Sequence, residues 1–115
     1  MKVREASRLL AGPLLVARLE ALANRHRLRI VAALAVNGRN YVSQLAREVG
    51  ISRPLLHLHL QRLQAAGLVT SRLELSGDGK ALNYFDVTDF AITLTPQTIA
   101  DAAPSLDAAT TTLRP

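Results

Sequence analysis

The pattern of apolar and polar residues changes period once along the chain, near residue 67. Before that point apolar residues recur at i, i+3, i+4 and i+7, as in the segment 42–49, which is the spacing of one face of an α-helix. After it, LVTSRLEL (68–75) and ALNYFDV (81–87) read as strands. The pattern predicts a mainly α-helical chain with a small β-hairpin.

Start and stop residues divide the first part into four helices. Proline suits the first turn of a helix, Asn and Ser cap its start, and glycine ends it in a left-handed conformation. The predicted helices start at or near Pro13, Asn24, Val42 and Ser52, and they end at Ala23, Gly38, Gly50 and Gly67.

The second part holds a hairpin and a last helix. The segment SGDGK (76–80) has two glycines around an aspartate, which is a strong turn signal. Thr95 and Pro96 resemble a helix start, so we expect a short helix over 96–103. From Pro104 onward the chain is rich in Ala and Thr, and 104–115 is expected to be a mobile tail.

The order α-α-α-α-β-β-α, with VGIS as a tight link between helices three and four, is that of a winged helix-turn-helix. The sequence therefore predicts one domain over 1–103. Its helix-turn-helix is placed at 42–67 and its wing at 68–87.

The fourth helix has two distinct faces. At 100° per residue, Leu56, Leu60 and Leu63 fall within about 60° of one another and form a buried stripe. Leu58 points the opposite way, and Leu55 lies on the flank. A DNA major groove would use such a face, because thymine methyl groups accept apolar contacts. The alternative is a dimer or protein-partner surface.

The charge is uneven along the chain. The formal net charge is +5, and residues 1–80 hold 13 Lys and Arg against five acidic residues, whereas 81–115 hold one Arg against four Asp. A basic body suggests a polyanionic partner such as nucleic acid. Three arginines flank the second helix: Arg25, Arg27 and Arg29. They form either a solvated surface or part of a surface that faces DNA.

Three segments carry a family resemblance. LANRHRLRIVAAL, VSQLAREVGISRPLLHLHLQRLQAAGLV and SGDGKALNYFDVT are similar to the ArsR-type winged helix-turn-helix transcription regulators over about residues 14–90. The family's Ser-x-His-Leu in the recognition helix stands here as His57-Leu58-His59-Leu60. The resemblance implies a homodimer that places two recognition helices in successive major grooves of double-stranded operator DNA, most simply as a repressor.

The predicted DNA contacts lie on helices three and four and on the wing. They are Ser43, Gln44, Ser52, Arg53, Pro54, His57, Leu58, Gln61, Arg62, Arg72 and Lys80. For several of them a structural role is the alternative: a surface charge for Arg53, helix capping for Ser43 and Gln44, and pairing with Glu74 or Asp86 for Arg72.

The resemblance implies that the first and last helices form the dimer interface, at segments 9–23 and 91–103. The candidate interface residues are Leu10, Leu14, Leu15, Leu19, Leu22, Ile92, Leu94 and Ile99. The small size leaves the dimer interface as the main place for an effector pocket, and the sequence names no effector.

We expect no metal and no cofactor. The family's Cys-Val-Cys metal motif is replaced by Tyr41-Val42-Ser43, and the last helix has no histidine. His57 and His59 point about 200° apart on a helix and cannot share an ion. His59 is expected to be packed and hydrogen-bonded, and His26 is remote in sequence.

An enzyme and a protein–protein interaction module are the two alternatives to a DNA-binding regulator. An enzyme is not expected, because no nucleophile–base pair, phosphate loop or metal motif is visible. A winged-helix protein–protein interaction module would use the exposed Leu55 and Leu58. No segment is long and apolar enough to span a membrane, and the break at Gly12-Pro13 argues against a secretory signal, so a cytoplasmic location is expected.

Overall fold

The computed structural model describes residues 11–113, and side chains as far as 107, so Leu10 lies outside the described residues. Five helices and three strands are formed there. They are α1 (Gly12–Leu22), α2 (Arg25–Asn37), β1 (Asn40–Tyr41), α3 (Val42–Val49), α4 (Arg53–Ala65), β2 (Val69–Leu75), β3 (Ala81–Val87) and α5 (Pro96–Leu113). This order confirms the predicted winged helix-turn-helix.

The predicted capping residues make hydrogen bonds at the starts of α2 and α4. The Asn24 side chain accepts hydrogen bonds from the N–H groups of His26 and Arg27 at 2.9 and 3.1 Å. Ser52 Oγ accepts from Leu55 N at 3.3 Å. Gly50 takes the left-handed conformation between α3 and α4, with φ of 81°, where a side chain would be strained. These local signals explain why the sequence predicted the helix boundaries well.

The sheet has one strand that was not predicted. Its order is β1-β3-β2, all antiparallel, and β2 pairs with β3 from Val69↔Val87 to Leu75↔Ala81. The added strand β1 pairs Asn40 with Phe85 and Tyr41 with Tyr84. This strand fastens the loop before α3 to the base of the wing, so the helix-turn-helix and the wing share one rigid frame.

One apolar core joins the helices to the sheet. Ile30 and Leu34 of α2, Leu45 of α3, the predicted α4 stripe and Phe85 of β3 are all buried in it. Leu68, just after α4, is fully buried as well. The stripe Leu56, Leu60 and Leu63 is confirmed, and it fixes the rotation of α4 about its own axis.

The last helix is longer than the sequence predicted. It was expected to end at 103 before a mobile tail, but helical backbone continues through Pro104 to Leu113. A proline inside a helix removes one backbone hydrogen bond. Contacts with α1 offset this loss: Gly12 N donates to Ser105 Oγ at 2.6 Å, and Gly12 faces Leu106 so closely that a β-carbon there would come within 2.6 Å of it.

Candidate nucleic-acid interface

The side of the recognition helix α4 that points away from the core carries both polar and apolar residues. Arg53, Pro54, His57 and Leu58 are all exposed on its first two turns. The Leu58 side chain is 59% exposed, although the stripe on the opposite side of the same helix is fully buried. The structure thus brings these four predicted contact residues onto one surface.

Two further predicted contacts, Gln61 and Arg62, lie one turn after His57 and Leu58 on the same helix. Gln61 and Arg62 are exposed, but they line a groove of about 360 Å³ together with Ala17 and Glu20 of α1. They therefore border the side of α4 that meets α1, while Gln61 also lies one turn from His57 and Leu58 on the exposed face.

The start of α3 has no side-chain cap. Its N-cap residue is Tyr41, which makes no side-chain cap hydrogen bond, and Ser43 and Gln44 are half-buried in the first turn. Gln44 Nε2 donates to Glu48 Oε2 at 3.5 Å, one turn along. The structure gives Ser43 and Gln44 no capping role, and uncapped N–H groups at a helix start favour an anion such as a phosphate.

The wing has an ordered tip. The Ser76 hydroxyl donates to the Asp78 carboxylate, and Lys80 N donates to Ser76 Oγ at 3.2 Å. The hydrogen bond from Ser76, and then that from Lys80 N to Asp78 Oδ1 at 3.4 Å, lower the pKa of Asp78. The turn leaves the Lys80 side chain exposed at the tip, as predicted.

An arginine that the sequence did not single out organises the base of the wing. Arg39 Nη1 lies 2.5 Å from Glu74 Oε2, and its guanidinium stacks on the Tyr84 ring at 4.5 Å from the centroid. The hydrogen bond from Arg39 lowers the pKa of Glu74. Arg72, the predicted partner of Glu74, is 4.0 Å away and mostly exposed, so it remains available to a ligand.

The buried histidine of α4 has a partner on α2. His59 is 8% exposed, and Arg27 Nη1 lies 3.1 Å from its Nδ1, which confirms a packed and hydrogen-bonded histidine. His26, remote in sequence, packs beside it with the ring centroids 5.5 Å apart. Burial, and then the positive Arg27, lower the pKa of His59. Arg27 is therefore not part of a solvated face.

The predicted dimer residues divide between two environments. Leu14, Leu19, Leu94 and Ile99 are exposed on α1, on the segment before α5 and on α5. Leu15 and Ile92 are half-buried. Leu22 packs against the core cluster, so its main contact is inside the chain.

No three His, Asp or Glu side chains among residues 11–107 come together in a way that could hold a metal ion. None of the described helices combines the length and the apolar character needed to cross a bilayer.

A winged helix-turn-helix with an outward-facing recognition helix is the class that this fold and surface define. Residues 22–72 match the family model described as a helix-turn-helix domain. The HTH-type transcriptional regulator MJ0229 of Methanocaldococcus jannaschii is 37% identical over 71 residues, which cover 62% of this chain and 73% of that protein.

Solved structures agree with these matches. The solution structure of Mb0332 from Mycobacterium bovis, described as a homodimeric winged helix-turn-helix DNA-binding domain and a possible ArsR-family regulator, has 25% identity and a TM-score of 0.57, covering 88% of this chain and 82% of that one. NolR from Sinorhizobium fredii has 25% identity and a TM-score of 0.55, with 84% of each chain covered. The chain belongs to the helix-turn-helix transcriptional regulators, and its fold is similar to that of the possible ArsR-family regulator Mb0332.

Proposed function

We propose that the protein is a homodimeric, cytoplasmic regulator that binds double-stranded operator DNA and represses transcription by occupying a promoter. The observation that carries the proposal is the exposed face of α4, where Leu58 is held outward by the buried stripe behind it. A leucine on this face can contact thymine methyl groups while neighbouring polar groups reach base edges. We assign the protein no catalytic activity.

Base contacts are assigned to the first two turns of α4. His57 and Leu58 are exposed in the second turn of the helix, and Pro54 lies one turn earlier. Arg53 is at the first helical position, where its long side chain can reach either a base edge or a phosphate. Ser52 already caps the helix through its hydroxyl, so it is assigned to positioning.

Phosphate contacts are assigned to the two flanks of α4. On one side are the uncapped N–H groups at the start of α3, with Ser43 and Gln44. On the other side are the wing residues Arg72 and Lys80, both exposed. The net charge of +8 over residues 1–80 favours this placement. Gln61 and Arg62 are left as peripheral contacts because they line the groove beside α1.

The homodimer is assigned to α1 and the region around α5. Leu14, Leu19, Leu94 and Ile99 leave apolar surface in solvent that a second copy can cover. The homodimeric state of Mb0332, whose fold matches over most of this chain, supports the same assembly. A two-fold dimer would space two α4 helices for successive major grooves.

The first test is fluorescence-anisotropy binding to the DNA upstream of the protein's own gene, against a scrambled duplex, at several salt concentrations. We expect tight binding to the upstream DNA that weakens steeply as salt rises, because phosphate contacts release counterions. Lys80→Glu should weaken binding to every sequence and lower the salt slope by about 1 or more, whereas Arg53→Glu should also reduce discrimination between the duplexes.

The matched control is Arg29→Glu, which makes the same charge change at an exposed position of α2 outside the assigned contacts. It should bind nearly as the unchanged protein does. Normal binding by both Arg53→Glu and Lys80→Glu would show that the assigned contacts are wrong. No binding by the unchanged protein even at low salt would favour a protein partner for Leu55 and Leu58.

A further inference from the structure

One arginine ties three helices together behind the recognition surface. Arg27 Nε donates to Ala21 O at 2.5 Å, and Arg27 Nη2 lies 3.4 Å from Glu20 O, so the guanidinium caps the end of α1. Its Nη1 reaches His59 Nδ1 on α4 at 3.1 Å. Arg27 itself is in the first turn of α2. Arg27 thus joins α4 to α1 near the middle of α4, while Arg18 Nε donates to Ala66 O at 3.0 Å at the far end of that helix.

The chemistry of this contact fixes the protonation of His59. A guanidinium has N–H donors and no acceptor, so His59 Nδ1 must accept the hydrogen bond. The ring proton of neutral His59 is then on Nε2. A metal ion could not use Nε2 without moving that proton to Nδ1, where it would face Arg27. The contact with Arg27 therefore holds the ring neutral and in one tautomer.

The surroundings of the two imidazole rings disfavour an added positive charge on His59. His59 Nε2 and His26 Nδ1 are buried and lack a hydrogen-bond partner among the described residues. Around His59 the charged or titratable groups are Arg27 and His26 on α2 and Arg62 on α4, while α1 contributes backbone carbonyls to Arg27 and the Glu20 side chain to the groove. No carboxylate is among the groups that shift the titration of His59.

We propose that the Arg27–His59 contact is an acid-sensitive latch that positions the recognition helix, and that a proton added to His59 Nδ1 expels Arg27 and loosens α4 from α1 and α2. Its consequence for DNA affinity rests on the function proposed above. In that case acid weakens operator binding, and Arg27 and His59 are positioning residues that touch no DNA.

The direction of the pH effect follows from linkage. Burial and the neighbouring positive charges lower the pKa of His59 in the folded protein below the ordinary value near 6.5. The unfolded chain then binds the proton first as pH falls, so the free energy of unfolding decreases. The stabilising contribution of neutral His59 is complete above the ordinary pKa, and it is lost as pH falls through the lowered folded pKa.

The latch is tested directly by ¹⁵N NMR of the imidazoles in the unchanged protein. At about pH 8 we expect His59 to show the Nε2–H tautomer, and its titration midpoint to lie below that of a model histidine. A His59 that carries its proton on Nδ1, or that titrates at or above the ordinary value, would overturn the latch. This result does not depend on DNA or on any variant folding.

Unfolding by urea between about pH 8 and pH 5 gives a second measurement. His59→Gln can keep an acceptor for Arg27 but cannot titrate there, so its stability should fall less with acid than that of the unchanged protein. His57→Gln, two residues away on the exposed face, should keep the full pH slope. Equal slopes in the unchanged protein and His59→Gln would contradict the latch.

Operator binding at about pH 7.5 and pH 5.5 then tests the consequence. We expect the unchanged protein to bind several-fold more weakly at the lower pH, and His59→Gln to lose much less. No binding at pH 7.5 would contradict the proposed function alone, since the NMR and unfolding results would still decide the latch.

Discussion

Leu58 and Leu60 are two positions apart on α4 and lie in opposite environments: Leu58 is 59% exposed, whereas Leu60 is 1% exposed. Truncating a buried leucine removes apolar contacts and leaves a cavity. We therefore expect Leu60→Ala to lower the free energy of unfolding by about 2–5 kcal/mol. Urea denaturation followed by circular dichroism measures this loss.

Leu58→Ala is the matched control, since it is the same change on the same helix. Its free energy of unfolding should stay within about 0.5 kcal/mol of the unchanged protein, because an exposed side chain loses little packing. The proposed DNA contact predicts that Leu58→Ala nevertheless weakens operator binding. A large stability loss in Leu58→Ala would mean that this leucine is packed inside the protein and not free to reach a ligand.

Individual side chains show what could be read from the sequence and what could not. The facing of Leu58, Leu60 and His59 was predicted correctly, because helical periodicity is a local property. The partners of Arg27 and Arg39 were missed. Each pairs with a residue more than 30 positions away, His59 and Glu74 respectively, so the contact depends on how whole elements pack. The motif LANRHRLRI gave no signal that its central arginine turns inward.

At the scale of elements, α5 shows tertiary contacts that keep a helix continuous across a proline, a residue that normally ends one. Pro104 removes a backbone hydrogen bond from the middle of this helix. The contacts that α5 makes with Gly12 of α1 offset this loss. Pro104→Ala should restore the bond and raise the free energy of unfolding, by up to about 3 kcal/mol. The thermal midpoint and the helical signal in circular dichroism should rise together. No change in either would indicate a helix that ends before Pro104 in solution.

The wing and β1 differ in how predictable they were. The hairpin strands were predicted over 68–75 and 81–87 and are observed over Val69–Leu75 and Ala81–Val87, because the turn SGDGK fixes where both strands end. Strand β1 has only two residues and no alternation of its own. It exists because Asn40 and Tyr41 pair with β3, which is a long-range interaction. Long-range pairing of so short a segment leaves no pattern in the sequence.

At the scale of the whole molecule, the two proposed surfaces have different chemistry. The proposed DNA contacts all lie within residues 1–80, which carry a net charge of +8, whereas residues 81–115 carry a net charge of −3. The last segment combines its few acidic residues with exposed apolar side chains such as Leu94 and Ile99. A second copy of the chain suits this region better than a polyanion does, which separates the dimer surface from the DNA surface.

The dimer is tested by the double variant Leu94→Glu and Ile99→Glu. Both side chains are 50% exposed, so the monomer should stay folded while a charge in the interface blocks association. Sedimentation velocity should show a dimer for the unchanged protein and a monomer for the variant. Loss of the linked second half-site should also weaken operator binding by about 10²-fold or more.

The control is Val36→Glu, an apolar-to-acidic change at a position that is 81% exposed at the end of α2. It should remain dimeric, because α2 is outside the proposed interface. If Val36→Glu dissociates and the double variant does not, the two copies meet through α2, and the two α4 helices are spaced differently. A double variant that is monomeric yet keeps full operator affinity would mean that one copy reads the operator alone, and the two-fold spacing of recognition helices would then play no part in binding.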